Sequence, residues 1–209
     1  MSDTFQWILL GLPAFILAGS VHEFMHAWTA KKLGDYTATL EGRLTLNPLA
    51  HLDPIGTFLM IIVRFGWMKP VPINEYNFAN PVRGTALTAL AGPASNLAMA
   101  ILAAMIYRIL NLFDPSPFGA QALITLFVEV FTWVNVALML FNLIPVPPLD
   151  GYRIFRAFLP KGIRYYWEQA ERYAPFILLA VLLPISPLST LTLTLISRGV
   201  SFVIDLLLS

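Results

Sequence analysis

The chain has no cysteine. That absence removes disulfides and thiolate metal ligands together, and leaves His and carboxylate as the strong metal ligands available. Charge is also scarce: 12% of the 209 residues are charged, 57% are hydrophobic, and the mean hydropathy is +0.71. A soluble domain of this size needs far more charge on its surface, so the composition points to a membrane protein. The net charge is only +1. The basic residues cluster beside apolar runs rather than forming a stripe, which argues against a nucleic acid partner. A removable signal peptide is not expected, because Asp3 stands where a basic region would be and the first apolar run continues without charge to Glu23.

Long apolar runs are what the chain does have. A membrane crossing takes about 20 residues at a rise of about 1.5 Å each. Residues 6 to 30, 83 to 110 and 120 to 143 each fit one crossing, and 173 to 209 is long enough for two, with the break at Pro184-Ile185-Ser186-Pro187. Residues 52 to 66 are apolar but too short to cross, which predicts a re-entrant segment. Between them, Tyr36 to Leu46 alternates and is rich in Thr and Leu around Glu41-Gly42, so it reads as a small interfacial β-hairpin whose edge could pair with an extended peptide, or equally as an interfacial loop packing on the bundle. The expected fold is therefore an all-α polytopic membrane protein of about five transmembrane helices, a re-entrant segment and a small β-hairpin. It forms one domain over 1–209, with a core at 6–160 and a C-terminal helical pair at 173–209.

Basic residues orient it. Lys31, Lys32, Arg43, Arg64, Lys69 and Arg83 precede the second span; Arg153, Arg156, Lys161, Arg164 and Arg172 follow the third. If residues 52 to 66 dip and return, all lie on one side, which the positive-inside rule makes cytoplasmic.

Into the first apolar run is set His22-Glu23-Phe24-Met25-His26, an HExxH. On a helix the two histidines are i and i+4 and share a face, so both imidazoles can reach one metal, while Glu23 beside them can take a proton from water. Polar residues facing neighbouring helices would be the bland explanation, but two histidines and a carboxylate inside a span are costly without a purpose. A zinc site with two His ligands needs a third protein ligand and an open position. Asp150 stands out in Phe141-Asn142-Leu143-Ile144-Pro145-Val146-Pro147-Pro148-Leu149-Asp150-Gly151. The prolines break the third span near its cytoplasmic end and Gly151 permits a sharp turn, which would deliver Asp150 to the depth of the histidines. Taken alone it would read as a turn residue bonding its own backbone.

These motifs resemble the site-2 proteases, a family of intramembrane zinc metalloproteases, with HExxH in one helix and Leu149-Asp150-Gly151 as the LDG motif of a later one. A further family element, GPxxN, is matched by Gly92-Pro93-Ala94-Ser95-Asn96. The resemblance implies one Zn²⁺ per chain held by His22, His26 and Asp150, Glu23 as general base, a three-span core, and another protein's transmembrane helix as substrate. Gly66-Trp67-Met68-Lys69-Pro70-Val71-Pro72 looks like the compact members that lack a peptide-binding insert, and no nucleotide-sensing domain is expected after Ser209. The expected location is the lipid bilayer of a prokaryotic cell membrane, with the site towards the cytoplasm. Oligomeric state is not legible.

Five further polar positions bear on the site or the bundle. Asn96 and Asn142 are candidates for holding an oxyanion or the substrate backbone, since an amide donates without a counter-ion; each could equally bind a neighbouring helix. His51 could approach the site from the re-entrant segment, although a hydrogen-bonded loop histidine is the simpler reading. Glu129 and Arg108 fall on the outer halves of consecutive spans, where they could pair. The rival from another class is a metal transporter using His22, His26 and Asp150 as a transit site. Transport needs no general base, and it spreads polar residues through several spans where this chain concentrates them at one depth.

Overall fold

Punctuation by proline, asparagine and glycine decides where the helices of this chain begin and end. The computed structural model describes residues 6–64, 66–112, 119–182 and 187–209. A π-helical turn at Trp7–Gly11 leads into α1 (Leu12–Lys32), which has Pro13 in its first turn and Lys31 and Lys32 in its last, where cations suit the helix dipole. A short α2 (Thr37–Leu40) follows, then α3 (Pro54–Val63), capped by the Asp53 carboxylate on the Gly56 N–H at 2.8 Å. The long α4 (Pro81–Asn111) is capped by Asn80, and α5 (Ala120–Asn142) runs back beside it. Past the proline-rich turn lie α6 (Asp150–Arg156), α7 (Lys161–Gln169), α8 (Ala174–Leu182) and α9 (Pro187–Leu208).

α4 is the central helix and touches α1, α5, α6 and α9. Small residues let the backbones close up: Ala14, Ala18, Ala27 and Ala30 of α1 and Ala100, Ala103 and Ala104 of α4 are all buried. Helices in lipid associate this way because the bilayer offers no hydrophobic penalty for separating them. Ile101, Leu102, Met105, Ile106 and Ile109 of α4 are exposed, as a lipid-facing surface requires.

Among the described residues four helices are long and apolar enough to cross a membrane: Trp7–Lys32, Pro81–Asn111, Ala120–Asn142 and Ser189–Leu208. The first three match the expected crossings to within a few residues. The expected fifth does not appear among the described residues, because the apolar helix α8 has nine residues, about 14 Å of rise. The break expected at Pro184 to Pro187 lies outside them except for Pro187, the first residue of α9.

The short apolar segment turns back on itself. α3 ends at Arg64, whose φ of 59° is left-handed, and the chain returns so that Leu52 and Met68 form an antiparallel bridge. Both ends of the excursion therefore sit at one level. Met60 of α3 packs with Ala14, Phe15, Ala18 and Val134, and its carbonyl accepts from the Trp7 indole at 3.1 Å.

No hairpin forms at residues 36 to 46. Asp35 is fully buried, and its Oδ1 accepts from both the backbone N–H and the hydroxyl of Thr37, which starts the helical turn Thr37–Leu40; the Arg43 N–H then closes onto the Ala38 carbonyl at 2.8 Å. A local acceptor at the start of the segment outweighs its alternating pattern. The peptide-pairing edge expected there goes with it. Burial pushes the Asp35 carboxyl up, but bonds from Thr37, the Asn77 side chain and the Asn74 N–H bring it below the usual carboxylate range. Asp35 thus remains an anion and pins the 74–77 turn to the end of α1.

Candidate metal centre

His22 and His26 sit on the buried face of α1, each 6% exposed, with rings meeting edge-on at 4.5 Å between centroids. The passage of α4 across this face depends on Gly92. A Cβ there would lie 2.5 Å from Nε2 of His22 and 2.5 Å from Cε1 of His26, closer than any real side chain is tolerated. Asp150 arrives from the other side as the first residue of α6. Gly151 lets that helix start against the end of α5, since a Cβ there would overlap the carbonyls of Leu143 and Ile144. Arg156 holds α6 by pairing with Glu75 and Glu168, both at 2.6 Å, and Tyr152 stacks on Trp167 at 5.0 Å. Burial works against the Arg156 charge, but the two glutamates outweigh it and raise its pKa.

Two separate carboxylate approaches define the chemistry. Oδ2 of Asp150 lies 3.1 Å from Nε2 of His22 and 3.3 Å from Nε2 of His26. Ligand atoms bound at about 2.0–2.2 Å to one tetrahedral ion stand roughly 3.3–3.6 Å apart, so these spacings are close to those of a shared zinc. The far nitrogens agree. Nδ1 of His26 is 2.7 Å from the carbonyl of Thr88, which can only accept, so Nδ1 carries the proton and Nε2 presents a lone pair. Nδ1 of His22 is 2.6 Å from Oδ1 of Asn96. That amide is oriented by its own donor side, since Nδ2 of Asn96 donates to Oδ1 of Asn135 at 2.9 Å and to the Ala18 carbonyl at 3.5 Å. Two imidazole lone pairs and a carboxylate oxygen facing one another need a cation between them.

Glu23 also comes near: His22, Glu23 and His26 offer ligand atoms that all lie within 4.8 Å of one another. Its Oε2, however, already accepts the Val71 N–H at 2.9 Å. Asp150 makes the closer approach to both imidazoles and could serve as a third ligand.

The other sequence candidates fall elsewhere. Both amide hydrogens of Asn96 have protein acceptors, so this residue stands behind His22. Asn142 donates to the Leu138 carbonyl of its own helix at 3.0 Å. His51 is fully buried; its Nε2 donates to the Thr45 carbonyl at 2.8 Å, and Nδ1 faces Arg43 at 3.5 Å. Among the described residues no bond joins it to His22, His26 or Asp150. Arg108 donates to the Leu207 and Leu206 carbonyls at the end of α9, and no ion pair links it to Glu129 among the described residues. Asn135 was missed, although an asparagine in an apolar span is itself a signal. The Thr88 carbonyl and the Val71 N–H carried none, because backbone groups are invisible in residue types.

Residues 109–185 match the model of peptidase family M50. Over 197 residues the chain is 40% identical to the protein named "Putative zinc metalloprotease YwhC" of Bacillus subtilis, covering 91% of this chain and 89% of that one. It is 31% identical over 184 residues to "Putative zinc metalloprotease Rip2" of Mycobacterium tuberculosis, covering 83% and 68%. It is 25% identical over 156 residues to "Putative zinc metalloprotease MJ0611" of Methanocaldococcus jannaschii, covering 71% and 72%. No solved structure matches.

Proposed function

The chain belongs to peptidase family M50, the site-2 protease family, as a multi-pass membrane zinc metalloprotease, and from that premise we propose that it is an endopeptidase cutting within or beside transmembrane segments of other membrane proteins. The observation that carries this reading is the meeting of His22, His26 and Asp150 next to Glu23 among helices long enough to span the bilayer. A hydrolytic site in that setting is reached by a substrate that is itself in the membrane.

One zinc per chain, held by Nε2 of His22, Nε2 of His26 and a carboxylate oxygen of Asp150, would supply a Lewis acid that makes water a better nucleophile and polarises the scissile carbonyl. Glu23 accepts a proton from the attacking water and returns it to the nitrogen of the departing peptide. With Oε2 engaged by the Val71 N–H, Oε1 is the oxygen that carries this proton. Asn96 and the Thr88 carbonyl fix the tautomers of the two imidazoles and so keep both Nε2 atoms free to bind. A helical substrate must unwind locally before its carbonyl becomes accessible, because each peptide bond is shielded by helical hydrogen bonds.

The basic residues between α1 and α4 and between α5 and α9 support a cytoplasmic placement of this face in a prokaryotic membrane. The transporter reading is not favoured, since the relatives carry metalloprotease names and Glu23 has no task in it. The test is cleavage of a model transmembrane substrate by the purified protein. Activity should vanish with a chelator and return with zinc; cleavage that survives complete zinc removal would refute the assignment.

A further inference from the structure

A single peptide group stands between a buried cation and Glu23. The carbonyl of Pro70 accepts from Nη1 of Arg43 at 3.2 Å, and the N–H of the same peptide unit, that of Val71, donates to Oε2 of Glu23 at 2.9 Å. Nη2 of Arg43 donates to the preceding carbonyl, that of Lys69, at 2.6 Å, so the guanidinium forks over two successive carbonyls. In a trans peptide the C=O and N–H point in opposite directions within one plane. The position of the guanidinium is therefore passed to the carboxylate by one rigid unit, and charges of opposite sign at its two ends polarise both hydrogen bonds in the same sense.

The surroundings make this link stiff. Pro70 and Pro72 flank Val71 and fix the backbone on either side, and neither has an N–H. Val71 is thus the sole backbone donor of the three, and its side chain is buried against Ala27 and Ala38. The Lys69 N–H is tied to the His51 carbonyl at 2.8 Å. His51 donates from Nε2 to Thr45, which leaves Nδ1 as an acceptor towards Arg43. Arg43 itself is only 5% exposed and has no carboxylate within ion-pair distance among the described residues. A desolvated cation faced only by neutral acceptors, two carbonyls and the His51 imidazole, is costly. The polar path that leads away from it runs through the Pro70–Val71 peptide to the Glu23 carboxyl group.

We propose that Arg43 is a positioning residue for Glu23, acting through the Pro70–Val71 peptide, with His51 steadying the guanidinium. The inference rests on Glu23 being the general base. Lysine cannot span two carbonyls as the planar fork does, so Arg43→Lys should fail as well as Arg43→Gln.

The experiment uses the full-length zinc-loaded protein in detergent, a fluorogenic transmembrane peptide as substrate, and Arg43→Lys, Arg43→Gln, Glu23→Gln and Glu23→Ala. Both Arg43 variants should hold stoichiometric zinc and lose about 10- to 100-fold in kcat with KM changed by less than about twofold. Amide hydrogen exchange at Val71 should speed up in Arg43→Gln and also in Glu23→Ala, which removes the acceptor. Should the Gln variant not fold, the Lys variant carries the reading alone. Wild-type kcat in a folded Arg43 variant would overturn the proposal, as would a fall in zinc content that matches the fall in kcat, or a rise in KM alone. If Glu23→Gln cleaves as well as the wild type, the enzymatic reading fails and takes this one with it. An inactive Glu23→Gln beside fully active Arg43 variants would sink this proposal only.

Discussion

Oδ1 of Asn96 lies 2.6 Å from Nδ1 of His22, across 74 residues of sequence and two helices. The bond is the middle of a relay. Nδ2 of Asn135 donates to the Phe131 carbonyl at 2.9 Å, Oδ1 of Asn135 accepts from Asn96, and Asn96 in turn accepts from the imidazole. Asn96 and Asn135 are both fully buried, so each member sets the orientation of the next. Asn96→Ala should weaken zinc binding about 10- to 100-fold, the usual cost of removing the outer partner of a ligating histidine. Asn135→Ala should act in the same direction by a smaller factor. Because both belong to one network, the double variant should lose less than the product of the two. Competition with a chromophoric chelator measures all three, and independent, multiplying losses would show that the relay is not a unit.

Base and ligand should separate cleanly. Glu23→Gln is expected to abolish cleavage while zinc stays stoichiometric, since the histidines and Asp150 remain. Asp150→Ala should lose both metal and activity, because two imidazoles alone leave the site short of a protein ligand. Metal analysis of the purified variants beside a cleavage assay decides it. Zinc held by the Asp150 variant at wild-type affinity would place the third ligand elsewhere.

Gly92 should tolerate no side chain. A methyl group would meet both imidazoles at 2.5 Å, and the helices would have to part, at a cost of about 1–3 kcal/mol typical of overpacking. Gly92→Ala is therefore predicted to lower the thermal midpoint and to reduce zinc occupancy together. A variant with unchanged zinc content would mean that α4 shifts freely against α1.

Topology can be read with single cysteines, since the chain has none of its own. Cysteine placed at Asn77, Asp114 or Lys161 should react with a membrane-impermeant thiol reagent in intact cells only at the Asp114 position. The basis is charge: the basic clusters fall between α1 and α4 and between α5 and α9, segments that the positive-inside rule assigns to the cytoplasm, and Leu52 bridges Met68 at the two ends of the short apolar excursion. Labelling of the Asn77 position from outside would mean that α3 crosses the membrane.

Much of this protein is determined by the chain read alone. The three long spans follow from apolar length, and the HExxH pair follows from helical spacing, because i and i+4 on one helix share a face whatever surrounds them. The return of the 52 to 66 segment follows from its being too short to cross. Tertiary structure decided the rest. The 36 to 46 stretch carries an alternating pattern, yet the Asp35 carboxylate caps Thr37 and then reaches Asn74 and Asn77, partners about 40 residues away that no local window contains. The apolar C-terminal stretch, long enough on paper for two crossings, holds one helix of spanning length among the described residues. By residue type Asn96 is equally a donor for substrate and a contact to a neighbouring helix, and in the fold its amide is taken up by His22 and Asn135. The bonds that set the two imidazoles and Glu23 run to Asn96, the Thr88 carbonyl and the Val71 N–H. Residue types name groups able to do chemistry; which backbone carbonyl or N–H stands opposite them depends on packing between segments distant in the chain, and only the folded arrangement fixes it.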